Sequence, residues 1–236
     1  MNILITGGSS GLGESLVRKL FSQHQVYFTY AKSTEKALKL ESDCPGAKAF
    51  SCDFTRSESV QDFIQHMESF DLDILINNAY VGMEKNQFSK ISIDHLQLSF
   101  NQNIVPALII TQEALKSFRK KRFGKIINVL SSAMLGKPSV GWSEYIANKA
   151  YLMAMSRSWA SENSRYNITS NSISPGFMKT AFTQDTDERV IEQMVMNNPL
   201  GRLLTPEEVT DAFIFLIQCS QQVNGINLSL DNGLMV

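Results

Sequence analysis

Seven apolar runs of three to six residues alternate with longer amphipathic stretches along this chain, and that alternation limits its fold more than any other feature. The runs cover residues 3–5, 26–30, 47–52, 74–76, 126–130, 168–173 and 226–230. Helical patterns lie between them at 11–21, 34–40, 57–69, 94–120, 143–163 and 206–219. Short apolar strands separated by helices belong to a parallel sheet covered on both sides. The expected α/β architecture is a doubly wound, seven-stranded parallel sheet with helices on both faces. Start signals agree: Ser57 opens an acidic first turn, and Thr205 precedes Pro206 with Glu208 three residues on. No repeat, low-complexity segment or Pro/Gly-rich linker divides the chain, so a single domain over residues 1–236 is expected.

Composition narrows the function. Hydrophobic residues at 43% and charged residues at 19% exclude a disordered or coiled-coil chain. With 22 basic and 23 acidic residues the net charge is -1, which gives no electrostatic ground for nucleic acid or an anionic membrane. The longest apolar stretches, 104–110 and 213–217, fall far short of the roughly 20 residues of a spanning helix. The opening MNILITGG has no basic segment before its apolar run, unlike a signal peptide. Cys44, Cys52 and Cys219 are too few and too scattered for a disulfide framework or a thiolate metal site, and His24, His66 and His95 show no ligand spacing. These features predict a cytoplasmic protein without a metal.

The first apolar run ends in Thr6-Gly7-Gly8-Ser9-Ser10-Gly11-Leu12-Gly13 and passes directly into a helix. A glycine turn between a first strand and a helix sets backbone N–H groups and the positive helix end against a phosphate. The spacing is Gly-x3-Gly-x-Gly, not the commonest dinucleotide fingerprint, and a plain tight turn is the competing reading. The second strand has no acidic residue at its end to receive a ribose 2′-OH. Lys32 stands there instead, and its ammonium suits a 2′-phosphate, favouring NADP(H) over NAD(H). Tyr145 and Lys149 lie four apart in a helical pattern and so project from one face. A lysine cation beside a phenol favours the phenolate. A phenol tuned in that way exchanges a proton with a carbonyl or alcohol near neutral pH.

These pieces stand in a fixed order: TGGSSGLG, Asp53 in SCDFT, NNAY at 77–80, Asn103, the serines Ser131 and Ser132, YIANK and SPGFMKT at 174–180. Together they resemble the short-chain dehydrogenase/reductase family over nearly the whole chain, and its 3-oxoacyl-(acyl-carrier-protein) reductase members most. The resemblance implies a Rossmann-type domain and hydride transfer between NAD(P)(H) and a carbonyl–alcohol pair. It implies Tyr145 as acid/base, Lys149 on the nicotinamide ribose, a serine on the substrate oxygen, and Asn103 holding a water that links Lys149 to solvent. Spacing to Tyr145 points to Ser132; spacing from Asn103 along the strand points to Ser131, and both stay open. For the cofactor it implies Gly7, Ser9, Ser10, Gly11, Leu12 and Gly13 at the phosphates and Lys32 at the 2′ position. Asp53 and Phe54 fall at the adenine, Asn78, Ala79 and Tyr80 at the adenosine side, and Pro175, Gly176, Met178 and Thr180 at the carboxamide.

The sequence also departs from the family pattern. Tyr80 replaces the glycine of the usual NNAG and brings a bulky side chain where backbone commonly approaches the cofactor. Ser10 stands where many NADP-preferring relatives carry a basic residue, which leaves Lys32 as the main support for NADP(H). Met134, Leu135 and Trp142 are candidates for an apolar substrate wall, and Ile191, Met194 and Val195 for a substrate lid. Arg122 matches a carrier-docking arginine of the reductases. By the same resemblance the chain forms a homodimer or homotetramer through helices 94–120 and 143–163, with Leu152, Met153, Met155 and Trp159 supplying apolar surface. The expected substrate is a small-molecule or acyl-thioester carbonyl. A catalytically silent dinucleotide sensor of the same fold is the alternative, and a purely structural assembly protein a more distant one.

Overall fold

Each apolar run forms a strand in the computed structural model, which describes all residues except 83, 181, 182, 185, 235 and 236. The strands are β1 (Asn2–Ile5), β2 (Gln25–Tyr30), β3 (Ala47–Ser51), β4 (Ile74–Asn77), β5 (Gly124–Val129), β6 (Ile168–Pro175) and β7 (Asn227–Leu230). They pair in parallel in the order β3-β2-β1-β4-β5-β6-β7. Eight α-helices are described: α1 (Gly11–Leu20), α2 (Thr34–Asp43), α3 (Ser57–Met67), α4 (Ile93–Asn103), α5 (Val105–Lys121), α6 (Ser143–Asn163), α7 (Glu188–Asn197) and α8 (Pro206–Gln218).

Alternation along the strands divides the core in two. Ile3 and Ile5 of β1 face one layer with Leu16 of α1, Leu40 of α2 and Phe213 of α8. Leu4 faces the other with Phe63 of α3, Phe118 of α5 and Trp159 of α6. The predicted cap of α8 is present: Thr205 Oγ1 accepts from Glu208 N at 3.3 Å, and the Glu208 carboxylate accepts from Thr205 N at 2.9 Å. Strand order reverses between β1 and β4, and ligands of such sheets bind beyond the carboxyl ends of the strands at that point.

Two expectations are corrected. The helix read over 94–120 is two helices, α4 and α5, meeting at Ile104. Pro106 has no N–H to continue the ladder and so starts a new helix; the amphipathic pattern runs through the break and hides it. Leu152 and Trp159 are no surface residues: both are buried in the chain's own core, because α6 packs along β5 and β6. Among the described residues no helix is long and apolar enough to cross a membrane, and no group of three His, Cys, Asp or Glu is placed to hold a metal.

Candidate active site

The glycine turn after β1 is held from both neighbouring strands. Gly7 N donates to Thr29 Oγ1 at 2.9 Å and Gly8 N to Thr29 O at 2.8 Å. On the β4 side, the Asn78 amide donates to Thr6 O and Gly7 O at 2.9 and 3.0 Å, and Thr6 Oγ1 accepts from the amides of Asn78 and Ala79. Gly7 takes φ +67°, a region that disfavours a side chain. A Cβ on Gly13 would stand 2.2 Å from Gly7 O, so only glycine lets α1 approach this closely. Ser10 caps α1 in an extended conformation with no side-chain hydrogen bond. The first-turn amides thus keep no side-chain cap, the arrangement that receives a phosphate.

A cavity of about 590 Å³ opens above this turn, within the usual range for ligand sites. Ser9, Ser10, Gly11 and Leu12 line it beside Gly7, with Lys32, Asp53 and Phe54 on the β2–β3 side. Burial alone would raise the Asp53 carboxyl, but the Thr55 hydroxyl and amide, with Lys32 and Arg56 nearby, hold it below its ordinary value. Across the switch point the wall passes through Asn78, Ala79 and Tyr80 to Ser131, Ser132, Tyr145 and Lys149. Pro175 at the end of β6, with Gly176, Met178 and Thr180 beyond it, closes the third side. Glycines at φ +67° and +54° and uncapped helix amides make a cradle that fits a dinucleotide phosphate, with the exposed Lys32 beside Asp53 at its edge.

The reactive pair sits on α6. Tyr145 is half-buried, and burial raises its phenol above the ordinary value while a hydrogen bond with the Ser131 side chain opposes that rise. Lys149 is buried; its Nζ donates to Val129 O at 2.8 Å and lies 5.7 Å from the centre of the Tyr145 ring. Burial brings this lysine down from 10.5 to about 7. The expectation of a lysine cation depressing the tyrosine does not hold in the ligand-free site, because loss of hydration acts on both groups more strongly than their mutual interaction.

Tyr80 completes this end of the cavity. Its ring stands edge-on to Tyr145, centroids 5.1 Å apart, and 4.8 Å from Lys149 Nζ. Its hydroxyl accepts from Asn148 Nδ2 at 3.1 Å and hydrogen-bonds Ser99, and burial pushes the phenol to about 12. Asn148 also donates to Ser99 Oγ at 3.0 Å; Ser99 donates to Glu144, whose other oxygen meets His95 Nε2 at 2.6 Å.

The short chain dehydrogenase model matches residues 1–191. The chain belongs to the short chain dehydrogenase family. This short chain dehydrogenase is 29% identical over 234 residues to carbonyl reductase family member 4 of Xenopus laevis, covering 98% of this chain and 97% of that one. It is 30% identical over 243 residues to the 3-oxoacyl-(acyl-carrier-protein) reductase FabG of Rickettsia prowazekii, covering 99% and 96%. Among solved structures, a 3-ketoacyl-(acyl-carrier-protein) reductase from Brucella melitensis complexed with NADH superimposes with TM-score 0.89 at 22% identity, covering 99% and 98%. That likeness shows the seven-stranded Rossmann-type fold.

The dehydrogenase cavity gathers all the candidate residues except two. Gly13 lies behind the turn, against Gly7 O, and acts on packing rather than on the cavity wall. Asn103 is buried away from the cavity: its Oδ1 accepts from Val81 N at 2.6 Å and its Nδ2 donates to Val81 O at 3.1 Å. It thereby fixes the segment that carries Tyr80. Of the proposed substrate wall, Trp142 lines the cavity, whereas Met134 packs into a core and Leu135 is exposed; of the proposed lid residues, Met194 lines it. The proposed lid carries α7; Ala181, Phe182 and Asp185 of that segment lie outside the described residues. Sequence reading missed Ser99, Glu144, Asn148 and the engagement of His95. Their signal is i,i+4 spacing: His95, Ser99 and Asn103 on α4, Glu144 and Asn148 on α6.

Proposed function

We propose that this chain is an NADP(H)-dependent oxidoreductase that interconverts a carbonyl and a secondary alcohol, with Tyr145 as acid/base and a 3-oxoacyl thioester as substrate. The observation that carries the reading is the placement of Tyr145, its Ser131 partner and buried Lys149 in one cavity with the glycine turn and Lys32. NADP(H), when bound, supplies or takes up the hydride. Gly7, the first-turn amides of α1 and Lys32 would hold its phosphates, and Asp53 and Phe54 would lie at its adenine. In the direction of reduction, the Tyr145 O–H bond breaks as the carbonyl oxygen takes the proton, leaving a phenolate that Lys149, protonated, stabilises. Ser131 donates a hydrogen bond to the same oxygen, which gains charge as the reaction proceeds. Trp142 and Met194 offer an apolar wall to an acyl chain.

The thioester part of the reading rests on the relatives' names and on that wall, not on Arg122. Arg122 caps α5 beside the start of β5, about 20 Å of strand away from the cavity. There it points its guanidinium over Tyr166 at 5.9 Å, alongside Arg119 and Arg165.

A titration with NADPH and NADH, followed by NADPH-oxidation assays with acetoacetyl thioesters, simple ketones and keto-sugars as carbonyl acceptors, tests the proposal. Tighter NADPH binding with thioester turnover is expected. Equal affinities would remove the role given to Lys32, and binding without any turnover would favour the sensor. The serine assignment has its own check: Ser131→Ala is expected to lower kcat by at least about 10²-fold. A larger loss in Ser132→Ala than in Ser131→Ala would move the role to Ser132.

A further inference from the structure

A buried ammonium needs partners. Lys149 offers three donors, and its one described hydrogen bond goes to Val129 O of β5. No carboxylate is paired with it among the described residues; the titratable groups that face it are the phenols of Tyr145, on its own helix, and Tyr80, from the segment after β4. The Tyr80 ring is the nearer, its centre 4.8 Å from Nζ, within the roughly 6 Å at which a ring face attracts a cation, and desolvation strengthens that attraction.

The ring is also unusually well fixed. Tyr145 meets it edge-on, and Asn103 ties down the backbone of Val81 one residue on. Its hydroxyl is anchored by Asn148 and Ser99, Ser99 by Glu144, and Glu144 by His95, a hydrogen-bonded row joining α4 to α6. Glu144, the only carboxylate in that row, reaches Tyr80 through Ser99 rather than meeting Lys149 directly. The row would be needless if Tyr80 merely filled space, since an apolar residue does that without buried polar groups to satisfy.

We propose that Tyr80 is a positioning residue for Lys149: its ring face holds the ammonium, and the Asn148–Ser99–Glu144–His95 row holds the ring. Tyr80 thus takes the side chain that the family pattern lacks at this position and turns it toward the lysine. The inference deepens the functional reading above and rests on it for its catalytic meaning, but the contact itself is a property of the ligand-free protein.

The test is the titration of Lys149 in ligand-free protein, followed by NMR of ¹³C-labelled lysine side chains and assigned with Lys149→Met. In Tyr80→Leu, which keeps bulk and removes the ring, the midpoint is expected to fall by about 1 unit, or about 1.4 kcal/mol. In Tyr80→Phe, which keeps the ring face but frees it from the row, the midpoint is expected to fall by less than in Tyr80→Leu. Should Tyr80→Leu fail to fold, pentafluorophenylalanine at position 80 preserves shape while reversing the ring's charge distribution, and the same fall is expected. A midpoint that moves equally in the leucine and phenylalanine variants, or stays put in the fluorinated one, would overturn the proposal. The NADPH assays answer separately: a chain that reduces no carbonyl, yet whose Lys149 follows the ring, would lose the functional reading and keep the contact.

Discussion

Tyr145→Phe is expected to lower kcat by about 10² to 10⁴-fold, the range that a positioned proton donor contributes, with dinucleotide affinity nearly unchanged. The substitution removes one oxygen and keeps the ring, so the edge-on contacts with Tyr80 and Trp142 survive. What is lost is the proton for the carbonyl oxygen and the hydrogen bond with Ser131. Nothing at the glycine turn or Lys32 changes, because those groups lie across the sheet on other strands. Steady-state kinetics and a fluorescence titration with NADPH read the two quantities apart. Retention of more than a few per cent of the unaltered rate would mean that another group supplies the proton.

Lys149→Met should make the ligand-free protein more stable while it destroys turnover. The fall of Lys149 from 10.5 to about 7 corresponds to about 5 kcal/mol of unfavourable burial of the charged form. Between these values the unfolded chain binds a proton that the native chain does not, so stability rises with pH across that window. Below about 7 the whole penalty is present; near 10.5 it has gone. Methionine fills similar space without a charge, but it leaves Val129 O without its donor, a cost of about 1–3 kcal/mol. The expected gain at pH 6 is therefore several degrees in Tm, at about 2–4 °C per kcal/mol for a chain of this size, and it shrinks toward pH 10. Melting curves at pH 6, 8 and 10 measure this. A variant less stable than the parent at pH 6 would show that the ammonium is compensated in place. A residue retained against stability in this way is a mark of function.

How far the sequence carried this picture depends on which interactions are local. Strand positions were legible because a parallel sheet buries both faces, so each strand is a plain apolar run. The cap at Thr205 was legible because its two partners lie three residues apart. The break at Ile104 was written in Pro106 but masked by a pattern that stays amphipathic across it. The choice between Ser131 and Ser132 was open by spacing; that Ser131 hydrogen-bonds Tyr145 is a matter of side-chain direction, which spacing does not contain. Leu152 and Trp159 look alike as surface or core until β5 and β6 are laid beneath α6. The low value of Lys149 was beyond reach, since Tyr-x3-Lys says where the two groups stand along a helix but nothing of how much water surrounds them.

The cavity wall draws on the ends of six strands, and Gly7 after β1 and Gly176 after β6 lie about 170 residues apart in the chain. No fragment holding only the first or the second half of the sheet contains both the phosphate turn and Tyr145. Contacts of such long range form late in folding, after the entropy of closing large loops has been met. A molecule that binds here therefore recognises only the finished sheet and draws the folding equilibrium toward it by mass action. Seen in that way the cavity is also a checkpoint: occupancy reports that both halves of the chain have come together.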